Sequence, residues 1–133
     1  MNRKKGAYTM NVLCVERDIF QLARMKREVR EIVPDAHVIT CRNPGNATEL
    51  AVAEGCDVLL TGIDMGARKN EGVRLAKAIK EINPRVNIIF VTVCGEWEHA
   101  EAIFRLRPSG YVRKPYAEDA LAEEFANLRY AVG

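Results

Sequence analysis

The chain has 133 residues, 48% of them hydrophobic and 29% charged, which fits one soluble globular domain and excludes a disordered or fibrous protein. Its net charge of +2 disfavours direct binding to nucleic acid, because the basic start (Arg3, Lys4 and Lys5) leaves a nearly neutral remainder. The longest apolar run, at 86–93, is too short to cross a membrane, and the first residues do not resemble a signal peptide. We therefore expect a cytoplasmic protein.

The start of the chain differs in character from the rest. Residues 1–9 show no periodicity, and we predict that they form a basic extension to a single domain at 10–133. An apolar run at 12–15 predicts a strand, and the apolar spacing over 19–33 predicts an amphipathic helix. That helix ends at Pro34, because proline cannot continue the helical hydrogen bonding.

The remaining chain continues this alternation of strands and helices. In order, the patterns predict a strand at 37–41, a helix from 43 to 55, a strand at 57–61, a helix at 71–82, a strand at 86–93, a short helix at 96–106, a strand at 111–112 and a closing helix with Leu121, Phe125, Leu128 and Val132 on one face. Five strands that alternate with five helices indicate an α/β fold with a parallel sheet covered on both faces. In such folds the functional residues lie at the carboxyl ends of the strands.

Polar residues follow four of the predicted strands. They are Glu16, Arg17 and Asp18 after the first, Gly62 and Asp64 after the third, Thr92 at the fourth, and Lys114 at the fifth. An acid, a hydroxyl and a lysine that converge on one edge can hold a divalent cation and a phosphoryl group. The alternative is that these residues are the ordinary solvated ends of buried strands.

The cysteines give a separate prediction. Cys14, Cys41, Cys56 and Cys94 have neither the pairwise spacing nor the histidine partners of a metal site. We expect buried free thiols near strand ends, which is where small apolar side chains pack well.

Four motifs, at 12–18, 57–65, 88–92 and 110–115, together resemble response-regulator receiver domains of two-component signalling. The most specific is Gly-Tyr-Val-Arg-Lys-Pro at 110–115, since this pattern before a closing amphipathic helix is typical of receivers. The stretch from 91 to 115 looks most like receivers of LytTR-type regulators. The resemblance implies a flavodoxin-like (βα)5 three-layer sandwich with a five-stranded parallel sheet in the order 2-1-3-4-5.

The resemblance also implies a set of site residues. The family uses a strand-three aspartate as phosphoacceptor, two acids after strand one for magnesium, a hydroxyl after strand four and a lysine after strand five. Glu16 matches the first acid, Thr92 the hydroxyl and Lys114 the lysine. Tyr111, three residues before Lys114, matches the aromatic side chain whose rotamer reports phosphorylation.

Two positions depart from the family pattern. Arg17 occupies the place of the second acid, and Gly62 occupies the place of the phosphoacceptor. The spacings from Gly62 to Thr92 and to Lys114 are normal for the family, whereas counting from Asp64 shortens both by two residues. Arg17 either pairs with a nearby acid and fills the former metal position, or points into solvent.

These departures predict a receiver-like domain that can neither accept a phosphoryl group on the usual aspartate nor bind Mg²⁺ there. Without a carboxylate at Gly62, neither an aspartyl phosphate nor a bridging metal ligand can form there. We expect a pseudo-receiver with no enzymatic activity, no cofactor, no metal site and no Mg²⁺ binding. It would act on a protein partner or a second copy of itself through the fourth and fifth helices and the fifth strand, without contact to nucleic acid or membrane. Charged residues proposed for that face are Glu96, Glu98, Glu101, Arg105, Arg113, Glu118 and Arg129.

Two other functions fit the same sequence. A conventional receiver could accept phosphate on Asp64 instead of Gly62. A small flavodoxin-like cofactor binder could use the same strand-end crevice, although neither of its histidines, His37 and His99, lies at the carboxyl end of a predicted strand. A DNA-binding output domain outside these residues would be the natural partner of a LytTR-type receiver.

Overall fold

The computed structural model describes residues 9–65, 70–93, 100–117 and 119–128. Strands and helices alternate through these residues. Their bounds are β1 Asn11–Val15, α1 Ile19–Ile32, β2 His37–Cys41, α2 Pro44–Glu54, β3 Val58–Thr61, α3 Glu71–Ile82, β4 Asn87–Val93, α4 Ala100–Leu106, β5 Gly110–Lys114 and α5 Ala120–Ala126. No helix of these ranges is both long enough and apolar enough to cross a membrane.

The five strands form one parallel sheet in the order β2-β1-β3-β4-β5, as predicted. Buried residues pack on both sides of it. One core cluster includes Leu13, Leu59 and Phe90, and the other includes Leu60 and Leu121. Successive residues of a strand point to opposite faces, so a run such as Val58–Thr61, which is buried throughout, fits a sheet that is covered on both sides.

Local signals fix two of the helix ends. Asp18 precedes α1, and its carboxylate accepts hydrogen bonds from the backbone N–H groups of Phe20 and Gln21 at 2.9 and 3.0 Å. This cap satisfies donors that have no partner within the helix. At the other end of α2, Gly55 has φ +83°, a left-handed conformation that favours glycine.

Two sequence predictions about the elements need correction. The apolar spacing within the helix predicted at 71–82 puts Ile82 on its buried stripe with Val73, Ala76 and Ile79. Ile82 is instead 47% exposed, because it is the last residue of the helix, while Leu75 is buried. The fifth strand is longer than 111–112, since pairing with β4 extends it to Lys114 through the exposed Arg113. Residues 1–8, the predicted start of the fourth helix at 96 and Val132 lie outside the described residues.

Three of the cysteines are buried free thiols, as predicted: Cys14, Cys41 and Cys56. Cys94 lies outside the described residues. Burial raises the pKa of Cys14 from 9.0 to about 12, with a further contribution from Cys56. Burial likewise raises the pKa of Cys56 to about 12, and the nearby Asp57 adds to the shift. Both thiols therefore stay protonated in the fold at neutral pH, which makes them poor nucleophiles.

This burial predicts a pH dependence of stability. Above pH 9 the unfolded chain releases the thiol protons while the folded chain retains them, so the free energy of unfolding falls as pH rises from about 9 towards 12. Between pH 8 and 10, wild type should lose about 1 kcal/mol more than Cys14→Val, which has no ionisable group at this position. Urea unfolding at the two pH values measures the difference, and equal losses in both proteins would contradict the prediction.

Candidate functional site

The sheet brings the predicted site positions to one edge. Glu16 directly follows β1, Gly62 directly follows β3, and Lys114 is the last residue of β5. Thr92, which is 4% exposed, lies one residue before the end of β4. Because these four strands are parallel and adjacent, their carboxyl ends meet at the same place. The edge is therefore built by residues far apart in the sequence.

Glu16 and Lys114 form an ion pair at this edge. Lys114 Nζ donates to Glu16 Oε1 at 2.7 Å, and the two side chains are only 21% and 10% exposed respectively. The second carboxylate oxygen of Glu16 accepts from the backbone N–H of Asp18 at 3.0 Å. Both oxygens of Glu16 are thus in use, one by a side chain and one by the turn that leads into α1.

Arg17 does not join this pair. Arg17 is exposed, and its backbone carbonyl accepts a hydrogen bond from Arg42 Nε at 3.2 Å. Across the described ranges its guanidinium makes no ion pair, and Asp18 caps α1 instead of facing it. The structure therefore corresponds to the solvent-facing alternative for Arg17, and the pairing alternative is not seen.

Gly62 is buried where β3 ends, and the side chain of Met65 lies beside it. A Cβ atom added to Gly62 would lie 3.0 Å from Met65 Cγ and 3.6 Å from the carbonyl oxygen of Val91. Thr61 adds to this packing, because its hydroxyl donates to the Gly62 carbonyl at 3.0 Å and lies 3.6 Å from Met65 Sδ. A thioether and a hydroxyl thus lie beside Gly62, the position that the resemblance assigns to a carboxylate.

Gly72 in the first turn of α3 also belongs to this site, and the sequence analysis missed it. Its N–H donates to the carbonyl of Ile63 at 2.7 Å. A Cβ atom at Gly72 would lie 1.6 Å from the Gly62 carbonyl oxygen, which no backbone tolerates without moving. The signal was present as a glycine inside an otherwise periodic helix, a placement that often marks close packing.

Asp64 is exposed and lies two residues beyond Gly62. Its carboxylate accepts a hydrogen bond from the backbone N–H of Asn70, whose φ of +67° is left-handed. Asp64 has a further interaction as well. Its carboxylate thus ties together the two ends of the loop between β3 and α3.

A second polar cluster lies beside Lys114 and was also missed. Tyr116 donates its hydroxyl to Glu28 Oε1 at 2.7 Å, and Arg24 Nε donates to Glu28 Oε2 at 3.1 Å. The Arg24 guanidinium lies 4.5 Å from the centre of the Tyr116 ring. Burial, followed by the hydrogen bond to Glu28, raises the pKa of Tyr116, so its hydroxyl remains a donor. An acid on the apolar stripe of α1 was the available signal.

The predicted interaction face is only partly described. Tyr111 on β5 is 39% exposed and Phe104 on α4 is 76% exposed. Glu101 and Arg105 pair with each other at 2.6 Å across one turn of α4. Arg113 is exposed on β5. The remaining predicted charges at Glu96, Glu98, Glu118 and Arg129 lie outside the described residues. The face as an interface therefore stays a prediction.

The order of the strands agrees with comparisons to known proteins. A family model described as the response regulator receiver domain matches residues 12–126. The chain belongs to this family. Receiver domains of two-component response regulators are generally signalling domains without enzymatic activity, and they interact with proteins such as kinases and output domains. No curated protein matches the chain.

Solved structures of receivers share the fold. A response regulator receiver domain protein from Clostridium thermocellum is 20% identical, with a TM-score of 0.76 over 89% of this chain and 92% of that one. The chemotaxis protein CheY4 of Vibrio cholerae is 17% identical, with a TM-score of 0.78 over 92% and 100%. The signal receiver domain of a modulated diguanylate cyclase from Desulfovibrio desulfuricans G20 is 25% identical, with a TM-score of 0.75 over 90% and 92%.

Proposed function

We propose that this receiver domain is a pseudo-receiver, which accepts no phosphoryl group at the usual position and acts through protein contacts. The observation that carries the proposal is Gly62. It directly follows β3, it is buried, and it has no carboxylate. Nucleophilic attack on a phosphodonor needs such a group at this position. Phosphorylation of the usual aspartate therefore has no acceptor in this chain.

The residues around Gly62 support a loss of Mg²⁺ binding. Magnesium requires near-octahedral oxygen ligands and releases its waters reluctantly. Here the oxygens of Glu16 already accept from Lys114 and from the Asp18 N–H, and Arg17 puts a cation where the family has an acid. In the described part of the chain, no group of three or more His, Cys, Asp or Glu side chains could hold a metal ion. These residues do not fit the ion, and we propose that the domain works without it.

Asp64 is a poor substitute acceptor. Its carboxylate accepts the hydrogen bond of the Asn70 N–H, and its position is exposed beyond the strand end. Lys114, which would have to neutralise a phosphoryl group, is held by Glu16 at 2.7 Å instead. The geometry thus favours the pseudo-receiver over a conventional receiver that uses Asp64.

Incubation with acetyl phosphate and Mg²⁺, followed by intact mass spectrometry, tests the proposal. The wild-type chain should keep its mass under conditions in which a conventional receiver gains one phosphoryl group. A gain of one group in wild type would contradict the proposal, and peptide mapping would show whether Asp64 carries it. Visible absorbance of the purified protein tests the other alternative, a flavodoxin-like cofactor binder, since a protein with bound flavin would be coloured.

The output of the domain follows from the same proposal. We propose contacts through α4, β5 and α5, where the exposed Phe104 and Tyr111 supply apolar area. Aromatic side chains of this kind contribute strongly to protein interfaces. A relation to LytTR-type regulators would place a DNA-binding output domain outside these residues. A cytoplasmic location stays a prediction.

A further inference from the structure

A cavity of about 370 Å³ opens between α1, β4 and the segment after β5. Its polar lining comes from Gln21, Arg24 and Lys114, and its apolar lining from Met25, Val91 and the ring of Tyr116. The volume lies within the range of small-molecule sites, which are concave and largely apolar with a few polar groups. The cavity lies on the α1 side of the sheet and is not lined by Gly62 or Thr92.

The polar wall of the cavity presents unused hydrogen-bond donors. Lys114 uses Glu16 Oε1, while Tyr116 and Arg24 use the two oxygens of Glu28. The second oxygen of Glu16 accepts from a backbone N–H, so all four carboxylate oxygens are engaged. An ammonium and a guanidinium each carry several N–H groups, of which these contacts use only one each. The unused donors can be satisfied by an acceptor that enters the cavity.

We infer that this cavity binds a small organic anion, with its carboxylate or other oxyanion on Arg24 and Lys114 and its apolar body on Pro115 and the ring of Tyr116. Arginine and lysine are suited to oxyanions, because charge-assisted hydrogen bonds are shorter and stronger than neutral ones. Pro115 is exposed and Tyr116 is half-buried, so a ligand can reach both, whereas the apolar residues deeper in the cavity have almost no exposed surface. The inference concerns a surface apart from Gly62 and holds whether or not the domain accepts phosphate.

The charged side chains of the cavity also determine how strongly it prefers an anionic ligand over a neutral one. Glu16 and Glu28 balance Lys114 and Arg24, so the attraction comes from oriented donors at short range. A neutral ligand of the same shape lacks the charge that strengthens each of these hydrogen bonds. For a probe as small as benzoate, we expect a Kd on the order of millimolar. Benzamide, which is nearly isosteric and neutral, should bind at least about fivefold more weakly.

Titration of the wild-type domain with benzoate, followed by two-dimensional amide NMR, tests the inference. We expect saturable shifts at Met25, Val91 and Tyr116, and smaller shifts with benzamide. Gln21→Glu places a carboxylate on the cavity wall at an exposed position and should weaken benzoate binding at least about fivefold. Asn46→Asp is the matched control, because Asn46 is exposed at the third position of α2, as Gln21 is in α1.

The inference stands if benzoate binds at the cavity, if Gln21→Glu weakens it and if Asn46→Asp leaves it unchanged. It fails if the shifts do not saturate or spread over the whole surface. It also fails if benzamide binds as well as benzoate, or if both variants behave alike. Because the readout is ligand binding, it is independent of the phosphorylation test at Gly62.

Discussion

Replacing Gly72 by alanine should lower the free energy of unfolding by about 3 kcal/mol or more. The added Cβ atom would lie 1.6 Å from the Gly62 carbonyl oxygen and 2.7 Å from its carbonyl carbon. Both are backbone atoms, so no side-chain rotation relieves the contact. The start of α3 would have to move away from the end of β3, and the hydrogen bond from Gly72 N–H to Ile63 would be lost.

Gly45→Ala supplies the matched control. Gly45 and Gly72 are each the second residue of their helix, but Gly45 is exposed and its added Cβ would meet only the Asn43 side chain, at 3.2 Å. We expect its stability to change by less than about 1 kcal/mol. Urea unfolding measures the free energy of unfolding of both variants. Equal stability of the two variants would show that α3 does not pack against the end of β3 as described.

The second large effect is expected at Glu16. Glu16→Gln should lower the free energy of unfolding by about 2 kcal/mol, because it leaves the Lys114 ammonium mostly buried beside a neutral amide. The range for fully buried pairs is higher, but water still reaches part of Lys114. Lys114→Met should be destabilising for the converse reason, since it leaves the Glu16 carboxylate without its cation. The double variant should lose less than the sum of the two, since it removes both charges.

The exposed pair on α4 is the control for this experiment. Glu101 and Arg105 lie 2.6 Å apart, closer than Glu16 and Lys114, yet their side chains are 81% and 78% exposed. Glu101→Gln should therefore change stability by less than about 0.5 kcal/mol. Urea unfolding of the single and double variants yields the coupling between Glu16 and Lys114. Additive losses would mean that the two side chains do not interact in solution.

Much of the fold could be predicted because the patterns are local. Alternation of apolar runs with amphipathic stretches located β2 and α3 at their observed bounds. Asn43 and Gly55 marked the two ends of α2 through their own side-chain or backbone chemistry. The fifth strand was harder to delimit. Its charged end at Lys114 is a strand only because β4 pairs with it, and no apolar pattern records that pairing.

The site shows the same division. The rule for parallel sheets placed Glu16, Thr92 and Lys114 on one edge from sequence alone. It could not show that Lys114 pairs with Glu16, because the two residues are 98 positions apart. Contacts of Gly72 with Gly62, and of Tyr116 with Glu28, were missed for the same reason. Each depends on how two elements pack, which neither segment encodes alone.

We propose that the missing carboxylates, above all at Gly62, separate this receiver from one that accepts phosphate. The most direct test restores them and compares Arg17→Asp/Gly62→Asp with Arg17→Asp/Gly62→Asn by intact mass after incubation with acetyl phosphate and Mg²⁺. Aspartate and asparagine have nearly the same size and shape, so both crowd Met65 to the same extent and the variants differ only in the carboxylate. We predict one phosphoryl group on the Gly62→Asp variant and none on wild type or the Gly62→Asn variant. Phosphorylation of wild type or of the asparagine variant, or none on the aspartate variant, would contradict the account.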